Sequence, residues 1–527
     1  MWRRFVGPQV FLAPCALCLL WGAILQRTSS GAEYTIVGRF GQRPADAPDD
    51  RRYGGFWDPT LTSTGKVALY SDTWDFHGSY SFTNWTPVSD GIWFGDPGAL
   101  DMIVESGRPL PSLPVDQPVH DEQDWHWTYA ASGDYLSVMA RVTGPGVTQA
   151  NERVYLRFGP DGAVPLYRDG MQLGDATLVT ANPAMPLPDG RLIFNASLQS
   201  PGQSSPHAEI WGGTPGNLHK LVDQAGAADV NDLGQFVYGV IPQNQGSPID
   251  SLWMASIDDP AASTFVAGTG MALPGVPNVT LRLDGNDRPR LSNSGDVLMR
   301  AYVEGMSLPA GLDRALIAGR PGDLWTVQYP GMPAPEAGAG WSFGFASDWG
   351  ATLTETGAVA LAARVSNSAG ESRVGLWYTE QDQRQLIAIE GQAAPGLGAG
   401  ATFSFLSSYD GFLVNGLGQV VFSAVLAGPQ FSQGQDASLW LRDIDGSVRM
   451  LLREGDILHT PQGDVPFDFA TPVGFNDAGQ LLLLVNRFGF DQALVLTSVP
   501  VPEPNSLALG ATGILVLCVF CRARKLT

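Results

Sequence analysis

Asn415-Gly-Leu-Gly-Gln-Val-Val-Phe422 and Asn476-Asp-Ala-Gly-Gln-Leu-Leu-Leu483 state one phrase twice, 61 residues apart. An Asn side chain bonds the backbone of its own turn, Gly accepts positive φ, and the apolar run then enters a strand. Asn231-Asp-Leu-Gly-Gln-Phe-Val-Tyr238 is a third copy. Asn293-Ser-Gly295-Asp-Val-Leu298 and Thr354-Glu-Thr-Gly-Ala-Val-Ala-Leu361 are variants of it. Weaker copies are Ser63-Thr-Gly65-Lys-Val67, Ser132-Gly133-Asp-Tyr-Leu136 and Asp189-Gly190-Arg-Leu-Ile-Phe194. The pivots are Gly65, Gly133, Gly190, Gly234, Gly295, Gly357, Gly418 and Gly479, with gaps of 68, 57, 44, 61, 62, 61 and 61. Self-similarity at this period means a repeat architecture.

Each phrase has companions. A short aromatic strand follows it, as in Ile92-Trp93-Phe94, Ile210-Trp211, Leu252-Trp253, Leu376-Trp377-Tyr378 and Leu439-Trp440-Leu441. Next come an apolar run closed by Gly (Leu386 to Gly391), a Pro/Gly turn (Ala394-Pro395-Gly396) and another strand (Phe403-Ser-Phe405). That is about four strands per unit. The run Val420 to Leu426 is apolar at odd and even positions alike, so both faces are covered. Sheets repeated around an axis solve the exposed-edge problem as a β-propeller. The reading is therefore an all-β propeller of eight four-stranded blades; the uneven early gaps make seven the alternative. The first strand, Tyr34-Thr-Ile-Val, matches the outer element Ile387-Ala-Ile-Glu, and the last unit, ending at Ala493-Leu-Val-Leu496, lacks that element. Their pairing closes the ring, and the recurring Trp residues pack between blades.

The two ends read as sorting signals. Arg3 and Arg4 precede a mostly apolar stretch from Phe5 to Leu25, and Ser30-Gly31-Ala32 suits cleavage. Residues 1–32 form a signal peptide, 33–498 the repeat domain and 499–527 a tail. Cys15 and Cys18 lack a lipobox, so the leader is read as cleaved. In the tail, Pro502-Glu503-Pro504 precedes an uncharged run of 15 residues, Leu507 to Cys521, then Arg522, Arg524 and Lys525. The run is read as a transmembrane helix with its basic stop on the cytoplasmic side. This tail resembles the PEP-CTERM signal of Gram-negative bacteria. The resemblance implies export to the envelope, cell surface or medium, an exosortase-like processing protease as partner, and extracellular polysaccharide nearby. The tandem phrase is similar to a bacterial choice-of-anchor repeat family with an Asn-x-x-Gly-x-x-x-Phe motif. That likeness implies a surface protein and carries no catalytic residues.

Composition narrows the chemistry. The four cysteines, Cys15, Cys18, Cys518 and Cys521, all lie in leader or tail, so the body has no disulfide, cysteine metal site or thiol nucleophile. A net charge of −21 argues against nucleic acid. No Gly-x-Ser-x-Gly, His-Glu-x-x-His, phosphate loop or dinucleotide fingerprint is present. His120, Asp121, Glu122 and His126 offer imidazole and carboxylate suited to zinc or manganese, yet their spacing matches no established motif, and a structural loop is the plainer reading. Asp443-Ile-Asp445-Gly446 and Asp284-Gly-Asn286-Asp287 hold oxygen donors for calcium, without a full calcium loop; turn chemistry explains them as well. Trp57, Trp74, Trp85 and Trp349 fall off the repeat phase and are the aromatic candidates for sugar stacking. Two functions fit: a non-enzymatic surface or matrix scaffold with no cofactor, or an exported polysaccharide-binding or polysaccharide-degrading enzyme with its site at the propeller mouth. Carboxylates converging on one mouth with raised pKa values are the mark of the second.

Overall fold

The computed structural model describes residues 33–44, 51–76, 85–111, 113–120, 128–240, 249–283, 289–305, 313–344, 350–381, 383–406, 411–431, 435–486 and 492–500. Among the described residues, eight antiparallel sheets of at least four strands follow one another along the chain, with a two-stranded ribbon, Ile457–Leu458 and Val465–Pro466, between the last two. Blade 1 is Arg51–Leu61, Val67–Phe76, Trp85–Asp96 and Ala99–Glu105; blade 2 is Thr128–Ser132, Tyr135–Arg141, Arg153–Gly159 and Gly162–Arg168. Blade 3 is Ala176–Ala181, Leu192–Gln199, His207–Thr214 and Asn217–Asp223, and blade 4 is Ala225–Val230, Gln235–Val240, Ser251–Ser256 and Thr264–Gly268. In blades 3, 5, 6 and 7 the first strand is split, as in Thr402–Leu406 and Phe412–Val414, both paired with Val420–Ala427. Blade 8 takes Ala470–Phe475, Gln480–Val485 and Ala493–Ser498 from the chain's end and its outer strand, Tyr34–Arg39, from the start. Eight blades stand, and the ring closes as the repeat phase requires.

The same bulge marks every blade. Between third and fourth strands the register slips by one residue on the outer strand. The skipped residue is Ile103, Leu166, Leu221, Val266, Val327, Ile387, Leu451 and, in blade 8, Val37. All are aliphatic. A bulge bends and twists a strand, and its recurrence makes it part of the blade's shape. Because Tyr34–Arg39 carries it too, that strand is a full outer strand in its own right.

The core consists of blade interfaces. Alternate side chains of one central strand face two neighbours: Phe422, Ala424 and Leu426 pack toward blade 6, while Val421 packs toward blade 8. Likewise Leu481, Leu483 and Val485 face blade 7, and Leu482 and Leu484 face blade 1. Trp93, Trp211, Trp377 and Trp440 sit in clusters facing the preceding blade, and Trp253 packs against one. They are interface residues, as the repeat implied.

One gap in the repeat has a local cause. Blade 3 passes to blade 4 through Gln224 alone, at φ 51°, where blade 4 passes to blade 5 through a long connection, Thr269 to Val279. The 44-residue gap is that missing connection.

The repeat phrase closes the first hairpin of each blade. All eight pivot glycines have positive φ, from 55° at Gly133 to 90° at Gly357. Asn476 accepts the Gln480 N–H at 3.0 Å and donates to Gln480 Oε1 at 2.7 Å. Its amide also donates to Thr62 O at 3.1 Å, joining the last blade to the first. Asn231 and Asn415 make the same bonds to Ser292 O and Asn476 O. Where Asn is absent, Thr62, Ser292 and Thr354 take the place, each accepting the N–H four residues on. This corrects the reading of Asn293 as the phrase's Asn: Ser292 holds that position, and Asn293 is the next residue. Asn476→Ala strands a buried carbonyl and N–H and should lower stability by about 1–2 kcal/mol. Urea unfolding checks it; an unchanged midpoint would remove this clasp from the closure.

Candidate functional site: a carboxylate collar

First strands of most successive blades touch one another, so the first hairpins crowd the axis and their turns ring one mouth. The residue after the buried Asn, Ser or Thr is the one that reaches its neighbour. Asp232 N–H donates to Asn293 Oδ1 at 2.9 Å, and Asn293 N–H donates to Glu355 Oε2 at 2.9 Å. Gly416 N–H donates to Asp477 Oδ1 at 2.5 Å. Farther round, Thr64 Oγ1 donates to Asp134 Oδ1 at 2.9 Å. In three of these contacts the backbone of one turn positions a polar side chain of the next.

Gly416 interrupts the chain of contacts. It carries no side chain where its neighbours carry Glu355 and Asp477. A Cβ built there would lie 2.5 Å from Glu355 Cγ and 2.5 Å from Asp477 Oδ2, so the two carboxylate side chains meet across this residue. Desolvation raises the Glu355 pKa, the Asn293 N–H lowers it, and Asp232, Asp477 and Asp229 raise it again. Those acids belong to blades 4 and 8, two away on either side. Like charges felt across intervening blades mean a narrow mouth. A carboxylate collar can hold a hydroxyl by accepting hydrogen bonds, bind an ammonium group, or pass a proton at Glu355. It repels anions.

The residues singled out from sequence fare differently. His120 lies at the start of the link to blade 2, where its backbone N–H bonds Arg141 O at 2.9 Å; Asp121, Glu122 and His126 lie outside the described residues. Asp443 and Asp445 close a hairpin, accepting the N–H groups of Ile444 and Ser447. Asp284, Asn286 and Asp287 lie outside the described residues, as does Trp349. Trp57 is 44% exposed on the innermost strand of blade 1, while the side chains of Trp74 and Trp85 lie beyond description. Pro502, Glu503, Pro504, the run 507–521, Arg522, Arg524 and Lys525 also lie outside. Among the described residues no helix is long and apolar enough to cross a membrane. The collar acids were missed because they occupy the phrase's variable second position. The signal was there: Asp232, Glu355 and Asp477 stand one residue after the motif's first.

Among solved structures, the chain is similar to the β-propeller domain of the trilobed protease from Pyrococcus furiosus, at 8% identity over 77% of this chain and 100% of that one, with TM-score 0.35. The Dos1 propeller matches at 10% identity over 88% and 94%, with TM-score 0.37. A polysaccharide lyase described as an ulvan lyase matches at 10% identity over 73% and 94%, with TM-score 0.29. No curated protein matches. One family model matches twice, over residues 19–238 and 220–508, so the chain belongs to the family of unknown function DUF7453.

Proposed function

We propose that this chain is an exported surface protein whose propeller is a binding scaffold for extracellular polysaccharide. In this reading the signal peptide and the PEP-CTERM-like tail deliver it to the envelope. An exosortase-like protease then cuts near Pro502-Glu503-Pro504. The described chain leaves blade 8 on the collar side, where Val499 N–H bonds Gly479 O at 2.7 Å and Gln419 Nε2 bonds Pro500 O at 3.1 Å.

The observation that supports a glycan site at the mouth is the convergence of Asp232, Glu355 and Asp477 there, the mark expected of the polysaccharide-acting alternative, whereas a bare scaffold would scatter its acids on the rim. Glu355 and Asp477, each held by a backbone N–H, are prepared to accept from sugar hydroxyls without further ordering. Their charge, with the net −21, selects neutral or amino-bearing glycans over uronate-rich ones. The raised proton affinity of Glu355 favours a second reading, acid–base cleavage of the same glycans.

Glycan-array binding by the processed protein separates the two. Glu355→Gln and Asp477→Asn keep acceptor oxygens for the Asn293 and Gly416 N–H groups. The double variant should lose at least tenfold in affinity for its neutral or amino glycan, with no reducing ends released by either protein. Release that stops with Glu355→Gln alone would establish the enzyme. Equal binding by both proteins would take the ligand away from the collar.

A further inference from the structure

A second cluster lies in blade 3, at the opposite end from the collar. On the third strand, the residue two before the one that follows the register slip, Trp211 in blade 3, differs from blade to blade. In blades 4 and 7 it is Ser251 or Ser438, whose hydroxyl accepts the indole N–H of Trp253 or Trp440 at 2.9 Å. In blades 1 and 6 it is Gly91 or Gly375, lying against the ring of Trp93 or Trp377. Blades 2, 5 and 8 have Val154, Ala315 and Ala493. Only blade 3 places a charge there: Glu209, 4% exposed, with Oε2 accepting the Trp211 indole N–H at 2.7 Å. A serine suffices to hold the indole. The buried carboxylate therefore answers another need.

Its surroundings name that need. Asp223 stands directly opposite Glu209 in the strand ladder, and like charges in that position repel unless a cation joins them. His207 Nε2 is 3.1 Å from Glu209 Oε1, and its Nδ1 is buried with no hydrogen-bond partner. One ligand atom each from His207, Glu209 and Asp223 lie within 4.8 Å of one another. Two atoms each about 2.1 Å from a shared ion sit at most about 4.2 Å apart, so small side-chain rotations close the set. Lys220 Nζ, 3.2 Å from Glu209 Oε1, occupies the cationic place on a half-exposed, flexible stem.

We propose that His207, Glu209 and Asp223 bind a first-row dication of the zinc class, with Lys220 as a displaceable internal competitor. One imidazole with two carboxylates suits zinc or manganese, whereas magnesium and calcium prefer all-oxygen shells. Three protein ligands leave a coordination position open on the blade's edge.

Zinc titrated into the full chain against a chromogenic chelator tests this. The wild-type protein should take up zinc that His207→Ala and Glu209→Ser lose by at least tenfold, and magnesium should not compete. Glu209→Ser copies blades 4 and 7 and keeps a partner for the indole, so its loss reports the ligand and not the fold. Lys220→Met should tighten binding severalfold, an effect a merely structural ion pair does not produce. Zinc uptake equal in wild type, His207→Ala and Glu209→Ser would overturn the site. So would uptake only after Lys220→Met, because the lysine would then be the native cation.

Discussion

Replacing Trp440 by alanine should lower the stability of the propeller by about 3–5 kcal/mol. The indole is fully buried, at 0% exposure, between blades 6 and 7. It meets Phe403 edge-on at 5.1 Å and lies nearly parallel to Phe422 at 6.4 Å. Phe403 and Phe422 line the cavity that would remain, and Met450, the cross-strand partner of Trp440, is the flexible neighbour that can fill only part of it. Urea unfolding measures the loss, and a change below about 1 kcal/mol would show an interface that collapses around the gap. A subtler comparison isolates the hydrogen bond. Trp440 donates to Ser438 Oγ, whereas the Trp377 N–H is buried without a partner. Trp377→Phe removes an unsatisfied donor and should cost less than Trp440→Phe, although both lose the same volume. Equal losses would mean that packing alone decides at these positions.

Much of this architecture was legible because the fold repeats its own chemistry. A glycine forced to positive φ in each blade leaves a recurring mark, 61 or 62 residues apart from Gly234 onward, and closure showed in the phase of Tyr34 and Ala493. What escaped was what the repeat allows to vary. Thr62, Ser292 and Thr354 do the work of Asn with a hydroxyl, so a search for the letter misplaced blade 5 by one residue. Glu355 and Asp477 lie 122 positions apart, and only the ring brings them over Gly416. Glu209 and Asp223 face each other because a hairpin folds there, and the one-residue bulge at Leu221 shifts the register between them. A position's chemistry was visible wherever the backbone demanded it. It was hidden wherever only assembled neighbours give it meaning.

The same rule hides Asp169, whose replacement by Asn should abolish a loss of stability between about pH 4 and 6. Asp169 follows the outer strand of blade 2 and is 3% exposed. Its Oδ2 lies 3.6 Å from Arg153 Nη1, but that guanidinium already donates to Thr180 Oγ1 at 2.7 Å, and Asp169 Oδ1 is buried without a partner. Burial raises its pKa from 3.8 to about 6, with Arg153 opposing and Glu152 adding to the shift. The sign follows from proton binding. Because the folded chain holds this proton more tightly than the unfolded chain, the carboxyl favours folding while protonated. The advantage fades as pH rises from 3.8 and is gone above 6, where the folded state carries an ill-solvated charge. At about 1.4 kcal/mol per pKa unit the full loss approaches about 3 kcal/mol. Solvent reaching Arg153 trims it to about 2. An asparagine at 169 places an amide near Arg153, at a cost that does not depend on pH. The informative quantity is therefore the stability difference between variant and wild type, measured by urea unfolding at about pH 4 and again at about pH 7.5. That difference should move by about 2 kcal/mol in favour of the variant at the higher pH. If it is the same at both, the buried charge is being solvated by something other than its neighbours in blades 2 and 3.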